Sequence, residues 1–312
     1  MTKKALTATK KKHKLSGRYK SREREAYAMI ILQLIGFFVF SIYPIMWVLG
    51  KSFFDYDGVD QTFIGFENYI RAFTRDTAFW KSVLNTFIIS YGKLIIELPL
   101  ALLAALLLTN KMIKGKKLFS VIFYLPRVTG VAPACMIFAF IFATVNGLVN
   151  NALISIGVLN EPVAWVSSRV GATAVIMIQS IWGGFAANVL YFMAGVANIP
   201  EDVMEASEID GANKVQQFFH VTLPMLLPVI KVVLLLAMVG GMQIMNEVLL
   251  LTNGGPGDST NVVMLHIYKM YFAPAGKPEY GYASALGVIT SIILGIVTFI
   301  YLKFSKKADE VM

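Results

Sequence analysis

The stretch VLNTFIISYGKLIIELPLALLAALLLT, residues 83–109, holds 27 residues and only two charges, Lys93 and Glu97. A helix needs roughly 20 predominantly apolar residues to cross a hydrocarbon layer about 30 Å thick, so this run is long enough to span one. Five more blocks of the same kind follow or precede it, at 28–50, 119–145, 170–197, 226–252 and 282–304. Membrane strands would show alternation over about 9–11 residues, and none of the blocks alternates. A backbone in lipid must satisfy its own hydrogen bonds, so such blocks are helices. The predicted architecture is an all-α integral membrane protein with six transmembrane helices and both termini on one side.

Composition agrees. Of 312 residues, 56% are hydrophobic and 15% charged, with a mean hydropathy of +0.64. Soluble domains run near half apolar and a quarter charged, and disordered chains are poorer still in apolar residues. The single cysteine, Cys135, excludes a disulfide framework and a cysteine-based zinc site. His13, His220 and His266 are too scattered to suggest a metal centre. The basic residues decide sidedness: Lys3, Lys4, Lys10, Lys11, Lys12, Lys14, Arg18, Lys20, Arg22 and Arg24 precede the first block. Lys111, Lys114, Lys116, Lys117, Lys214, Lys303, Lys306 and Lys307 fall on the same face, against Lys51, Arg71, Arg75, Lys269 and Lys277 opposite. The positive-inside bias puts both termini in the cytoplasm. The chain then divides into a basic cytoplasmic tail at 1–27, a membrane domain at 28–304 and a short cytoplasmic tail at 305–312. The tail reads as a topology signal, not a nucleic-acid site, and the long first block with no A-x-A site after it argues against a cleaved signal peptide.

The connections carry the remaining information. The outside segment at 51–80 is rich in aromatics, as suits a stretch lying at the headgroups. The outside segment at 146–167 carries Trp165, and the last one opens with Asn253-Gly254-Gly255-Pro256-Gly257-Asp258, a turn. The cytoplasmic connection at 198–225 is acidic where topology alone asks for basic residues: Glu201, Asp202, Glu205, Glu208 and Asp210 against Lys214. Pro200 suits a first helical turn, the early acids suit the positive helix end, and Gly211 suits the stop. This predicts a short surface helix with an apolar edge of Val203, Met204, Ala206 and Ile209, held outside the membrane and in want of a partner.

Glu205-Ala206-Ser207, then Gly211, then Val221-Thr222-Leu223-Pro224 after nine residues, resembles the EAA signature of ATP-binding cassette importer permeases. The pattern has alanine where Ser207 stands and isoleucine where Val221 stands, both small changes. Gly65-Phe66-Glu67-Asn68-Tyr69 and Leu251-Thr252-Asn253-Gly254-Gly255-Pro256 are similar to the carbohydrate-uptake branch, of the maltose-permease first-subunit type. The resemblance implies a type I importer permease (MetI-like) fold over about 28–304. It also implies that Glu205, Ala206, Ser207, Asp210, Gly211, Leu223 and Pro224 couple the chain to an ATPase. The residues support that role: Gly211 allows a sharp turn, the small Ala206 and Ser207 allow close approach, and Glu205 can accept a charge-assisted bond.

No Gly-x-x-x-x-Gly-Lys-[Ser/Thr] occurs, since Gly92-Lys93, Gly115-Lys116 and Gly276-Lys277 each lack the earlier glycine and the following hydroxyl residue. No catalytic or metal constellation stands out, so the chain reads as a pathway, with no cofactor of its own and with ATP and Mg bound by a partner. Polar residues inside spans are functional candidates by default. Gln179, Trp182, Asn188 and Tyr191 stand in the fourth block, and Gln243, Asn246 and Glu247 in the fifth. Amides and aromatic faces suit sugar hydroxyls and rings, and the resemblance places a pocket around Trp182, Gly183, Gly184, Asn188, Gln243 and Asn246. Packing between helices is the competing reading of each.

Lys93 and Glu97, four apart, are placed to pair. Lys231 is near enough to the inner surface to snorkel; Arg127, after Pro126, has no assigned partner. The implied assembly is a heterodimer with a second homologous permease, a cytoplasmic ATPase dimer, an extracellular or periplasmic solute-binding protein, a sugar and membrane lipid, in a bacterial or archaeal cytoplasmic membrane. A permease for another solute such as glycerol phosphate is the alternative. An ion-driven secondary carrier fits less well, because repeated halves are not visible.

Overall fold

A computed structural model describes residues 17–110, 115–272 and 276–309. The lysines at 3–14, Lys111, Lys114 and His13 lie outside the described residues. The described chain is helical except for one small hairpin, β1 (Phe54–Tyr56) against β2 (Gln61–Phe63). The helices are α1 (Gly17–Phe37), α2 (Tyr43–Lys51), α3 (Glu67–Thr74), α4 (Thr77–Thr109), α5 (Lys116–Thr129), α6 (Val131–Ile141) and α7 (Leu148–Ser155). They continue as α8 (Arg169–Ala197), α9 (Glu201–Ile209), α10 (Lys214–Gln217), α11 (Leu223–Gly241), α12 (Asn246–Leu251), α13 (Val263–Phe272) and α14 (Tyr280–Asp309).

Five straight stretches are long and apolar enough to cross a membrane: Tyr27–Lys51, Thr77–Thr109, Arg169–Ala197, Lys214–Gly241 and Tyr280–Lys306. The sixth span is broken. Val121–Thr129 and Val131–Ile141 meet at 104°, with Gly130 at φ +76° supplying the left-handed corner. The fifth span also differs from the expected 226–252. It begins at Lys214 and ends at Gly241, and residues 246–251 form a separate short helix. Apolarity runs unbroken through this region, so hydropathy does not mark the end of the helix. A close approach does: a Cβ on Gly241 would lie 3.0 Å from that of Ser90, and the Ser90 hydroxyl donates to the Gly241 carbonyl, a group released where the helix ends.

Two of the long helices contain a π-helical turn, Phe38–Ile42 and Phe218–Thr222. Each directly precedes a turn that starts with a proline in second position, Pro44 and Pro224. Proline has no N–H to give the carbonyl four residues back and its ring crowds that carbonyl. A widened turn lets the helix pass the proline without stopping.

The centre of the molecule is the pairing of α4 with α8, the most extensive in the chain. Toward one end Ala101, Ala104, Ala105 and Leu108 close on Val189, Phe192 and Val233, with small residues allowing near contact of the helices. In the middle lies a polar layer. Glu97 is 2% exposed; its Oε1 accepts from the Asn188 amide at 2.7 Å, and its Oε2 is 3.6 Å from Lys93 Nζ. Lys93 also donates to Ser180 Oγ at 2.9 Å. Gly184 faces the same carboxylate, and a Cβ there would lie 2.4 Å from Glu97 Oε1. At the other end, Ile89, Ile176, Ile244, Val248, Val262 and Leu265 join α4 and α8 to α12 and α13.

The expected interfacial segment at 51–80 folds as the hairpin and α3 against the start of α14. Asn68 Nδ2 donates to the carbonyls of Ser52 at 3.0 Å and Phe54 at 2.9 Å, tying α3 to the chain entering β1. Arg71 pairs with Glu279 and stacks over the Tyr282 ring at 3.8 Å. Asp76 caps α4 by accepting from the Phe79 N–H at 2.8 Å. It also accepts from the Tyr282 hydroxyl at 2.7 Å and lies 3.3 Å from His266 Nε2. Burial opposes its ionisation, but those bonds from Tyr282 and the Phe79 N–H, together with His266, outweigh it and hold the carboxyl below its ordinary range.

Two outcomes follow from this packing. Gly184→Ala pushes a methyl into the Glu97 carboxylate and lowers stability by about 1–3 kcal/mol, whereas Gly183→Ala, with nothing within 4 Å, does not lower it; denaturant titration of the detergent-purified chain separates the two. Asp76 releases its proton more readily folded than unfolded, so its stabilisation is complete above the ordinary carboxyl value of 3.8 and is lost as pH falls through the depressed one. The thermal stability gap between wild type and Asp76→Asn is therefore expected to be full at about pH 7 and to shrink only as the pH is taken below the ordinary carboxyl value of 3.8.

Candidate functional site

The acidic connection is built as a protruding helix with a rigid stop. Pro200 sits at the N-cap of α9, one position before the expected first turn, and Glu201 and Asp202 occupy that turn. At the other end Asp210 is the C-cap and Gly211 takes φ +82°. The Gly211 N–H donates to the Glu208 carbonyl at 3.0 Å and the Ala212 N–H to the Ser207 carbonyl at 3.0 Å, the paired bonds of a Schellman stop. Asn213 then starts α10 with a reciprocal capping box, its side chain accepting from the Val215 and Gln216 N–H groups. From Lys214 the helix runs through the π turn into the fifth span. Four residues, Asp210 to Asn213, thus separate the surface helix from a membrane helix.

The departure from alanine at Ser207 has a structural use. Ser207 is buried, not turned toward a partner; its hydroxyl donates to the Met204 carbonyl at 2.7 Å and accepts from Gln217 Nε2 at 2.9 Å. Glu208 pairs with Lys214 across the same corner, and hydrogen bonds from Lys214 and Gln217 hold its carboxyl below the usual range. Met204, expected on the free edge, instead points back, its Sδ 4.0 Å from the Thr222 hydroxyl. The free face is therefore Val203, Glu205, Ala206, Ile209 and Asp210, with Ile209 86% exposed. Beside it Asp210, Gly211, Ala212, Gln216, His220 and Val221 line a shallow hollow of about 330 Å³. Leu223 is half-buried and Pro224 exposed at the start of α11, while Leu226 is fully buried against α8 near Gly195.

The six membrane positions separate into two groups. Gly184 and Asn188 face Glu97 and serve the α4–α8 contact described above. Gly183 has nothing within 4 Å of its Cβ position, and Trp182, half-buried, packs on Phe138 of α6 at 5.7 Å between ring centres. Gln243, within the interruption between α11 and α12, and Asn246, the first residue of α12, are both exposed. The role of Glu97 as the acceptor for α8 is the element missed in the sequence. Its spacing to Lys93 was visible, but nothing local to Asn188 or Gly184 points across to another helix. An outward hollow of about 490 Å³ lies between Val166 and Ser167 and the segment from Leu249 through Pro256. Among the described residues no group of three His, Cys, Asp or Glu side chains is placed to hold a metal ion.

Residues 97–308 match the family described as binding-protein-dependent transport system inner membrane component. The arabinooligosaccharides transport system permease protein AraP of Bacillus subtilis (strain 168) is 30% identical over 287 residues, covering 91% of this chain and 90% of that protein. The multiple sugar-binding transport system permease protein MsmF of Streptococcus mutans serotype c is 31% identical over 285 residues, 91% of this chain and 96% of that one. The trehalose/maltose transport system permease protein MalF of Thermococcus litoralis is 30% identical over 295 residues, 94% of this chain and 97% of that one. In fold the chain is similar to a crystal structure of a bacterial ABC transporter involved in the import of the acidic polysaccharide alginate. That superposition has a TM-score of 0.80 at 23% identity, over 93% of this chain and 98% of that one. The chain belongs to the binding-protein-dependent transport system inner membrane components, as a multi-pass permease subunit of an ATP-binding cassette importer whose ATP is hydrolysed in a separate subunit.

Proposed function

We propose that the chain is one of two homologous permease subunits that together carry a sugar, a di- or oligosaccharide, across the cytoplasmic membrane. A solute-binding protein delivers the sugar from outside, and a cytoplasmic ATPase dimer, holding ATP and Mg, drives the cycle. Both termini lie on the ATPase side. The observation that carries this reading is α9: a short helix clamped from behind through Ser207 and Gln217, stopped at Gly211, and presenting Glu205, Ala206, Ile209 and Asp210 unpartnered. An exposed isoleucine rimmed by acids on a rigid stub suits insertion into a cleft of a partner, with Glu205 accepting a charge-assisted bond there. Because α10 and α11 continue from that corner as one helix, a push on α9 moves the inner end of the fifth span, with Leu223 and Pro224 at the join.

Gln243 and Asn246, exposed at the α11–α12 break, are the polar groups this chain offers to a sugar, with Trp182 and Gly183 on α8 beside α6. Gly184 and Asn188 act behind them by fixing α8 on α4. Relatives named for arabinooligosaccharides, multiple sugars and trehalose/maltose support a saccharide as the solute.

Affinity purification in mild detergent is expected to recover a second permease and a P-loop ATPase; a chain that purifies alone and takes up solute on an ion gradient refutes the reading. Gly211→Asp forces a side chain into a left-handed position, at about 1–2 kcal/mol locally. It is expected to leave the subunit inserted while abolishing uptake and the stimulation of ATPase by the binding protein. Gln243→Ala is expected to change the apparent KM or the preference among sugars, with ATPase coupling intact; an unchanged uptake profile assigns Gln243 to packing.

A further inference from the structure

The broken span carries an unused charge. Phe123 on α5 packs on Phe185 at 5.5 Å and Phe138 on α6 packs on Trp182 at 5.7 Å. Those two partners stand one turn apart in the middle of α8, a helix of 29 residues. The chain from 124 to 137 therefore leaves α8 and returns to it at nearly the same depth, forming an elbow cornered at Gly130. Arg127 lies on that elbow, exposed. A second estimate gives the same depth: Arg127 follows Lys116, the first residue of α5, by eleven residues, or about 16 Å of helix, roughly half of the hydrocarbon thickness of about 30 Å.

An arginine at mid-depth is among the costliest groups to turn toward lipid, and its side chain is too short to reach either surface by snorkelling. No hydrogen bond or ion pair reaches it among the described residues. Two other membrane cations are otherwise engaged: Lys93 with Glu97 and Lys231 with the Ser305 carbonyl, while half-buried Glu247 stands on α12. The second arm of the elbow, α6, packs on α12, which begins at exposed Asn246 just after exposed Gln243. Two helix interruptions thus adjoin, each with an exposed polar side chain. Irregular backbone at membrane depth persists where it is buried in protein or lines a water-filled cavity, and these side chains are not buried in the chain.

We propose that Arg127 faces the translocation passage and recognises an anionic group, a carboxylate, sulfonate or phosphate, on the transported saccharide. The guanidinium of an arginine offers a planar fork matched to such groups. The inference rests on the importer reading above and adds the charge class of the solute.

The test uses the assembled importer, with its partner permease, ATPase and binding protein, in proteoliposomes. In a Cys135→Ser background, Arg127→Cys is expected to react with the water-soluble reagent 2-sulfonatoethyl methanethiosulfonate; a thiol that stays unmodified lies in lipid or in the subunit seam and overturns the proposal. Uptake of digalacturonate, trehalose 6-phosphate and sulfoquinovose is then compared with that of neutral lactose. Arg127→Gln is expected to lower uptake of the anionic solute by about ten- to hundredfold, with Arg127→Lys recovering part of it. An importer that carries only the neutral sugar, or that loses all solutes equally in Arg127→Gln, overturns the proposal while leaving the importer reading intact. Loss of the partner permease from the Arg127→Gln complex means that the arginine pairs with that subunit, which also overturns it. Failure of the wild-type chain to recover an ATPase at all sinks the importer reading itself, and this inference with it.

Discussion

Peptide groups have no water to bond with in hydrocarbon, and that constraint shapes the main irregularities of the described spans. A proline or a break inside a span frees a carbonyl or an amide, and several such places have a local answer. Before Pro44 and Pro224 the helix widens to a π turn and continues. At Gly241 the freed carbonyl accepts from Ser90 on α4. At Gly130 the chain turns by 104° and resumes as α6. At Gly241 the interruption is permitted because a neighbour supplies the missing bond.

The same scarcity of solvent makes the Glu97 carboxylate an organising point. A buried charge is tolerable only if paired and hydrogen-bonded, and Glu97 has Lys93 one turn earlier on its own helix and the Asn188 amide on α8. Satisfying it demands that α8 approach closely enough for Asn188 to reach, and Gly184 removes the side chain that would prevent this. Such a layer specifies one register of α4 on α8 where apolar contacts alone would admit several. The helices α6, α11 and α12 pack in turn on that pair.

Outside the membrane, rigidity is obtained by different means. The corner between α9 and α10 combines a positive-φ glycine, a capping box and a buried serine–glutamine bond within a dozen residues. The result is a firmly braced stub, and the serine that departs from the family alanine strengthens it by giving Gln217 an acceptor. The outer platform uses charge, with Arg71 on Glu279 and Asp76 gathering Tyr282, His266 and a helix N-terminus.

Much of this was legible in the chain itself. Apolar block length indicates most of the spans, while the acids and Gly211 determine the surface helix and its stop, and the i, i+4 spacing of Lys93 and Glu97 determines their pairing, because these are consequences of residues near each other along the chain. The parts left to tertiary structure are those where the deciding contact comes from far along the chain. The fifth helix ends at Gly241 because Ser90, 151 residues away, meets it there. Ser207 turns inward because Gln217 waits behind it, and Gly184 and Asn188 serve Glu97 because α4 lies opposite. Hydropathy reports what a residue prefers to be surrounded by; which neighbour surrounds it is settled only when the helices pack.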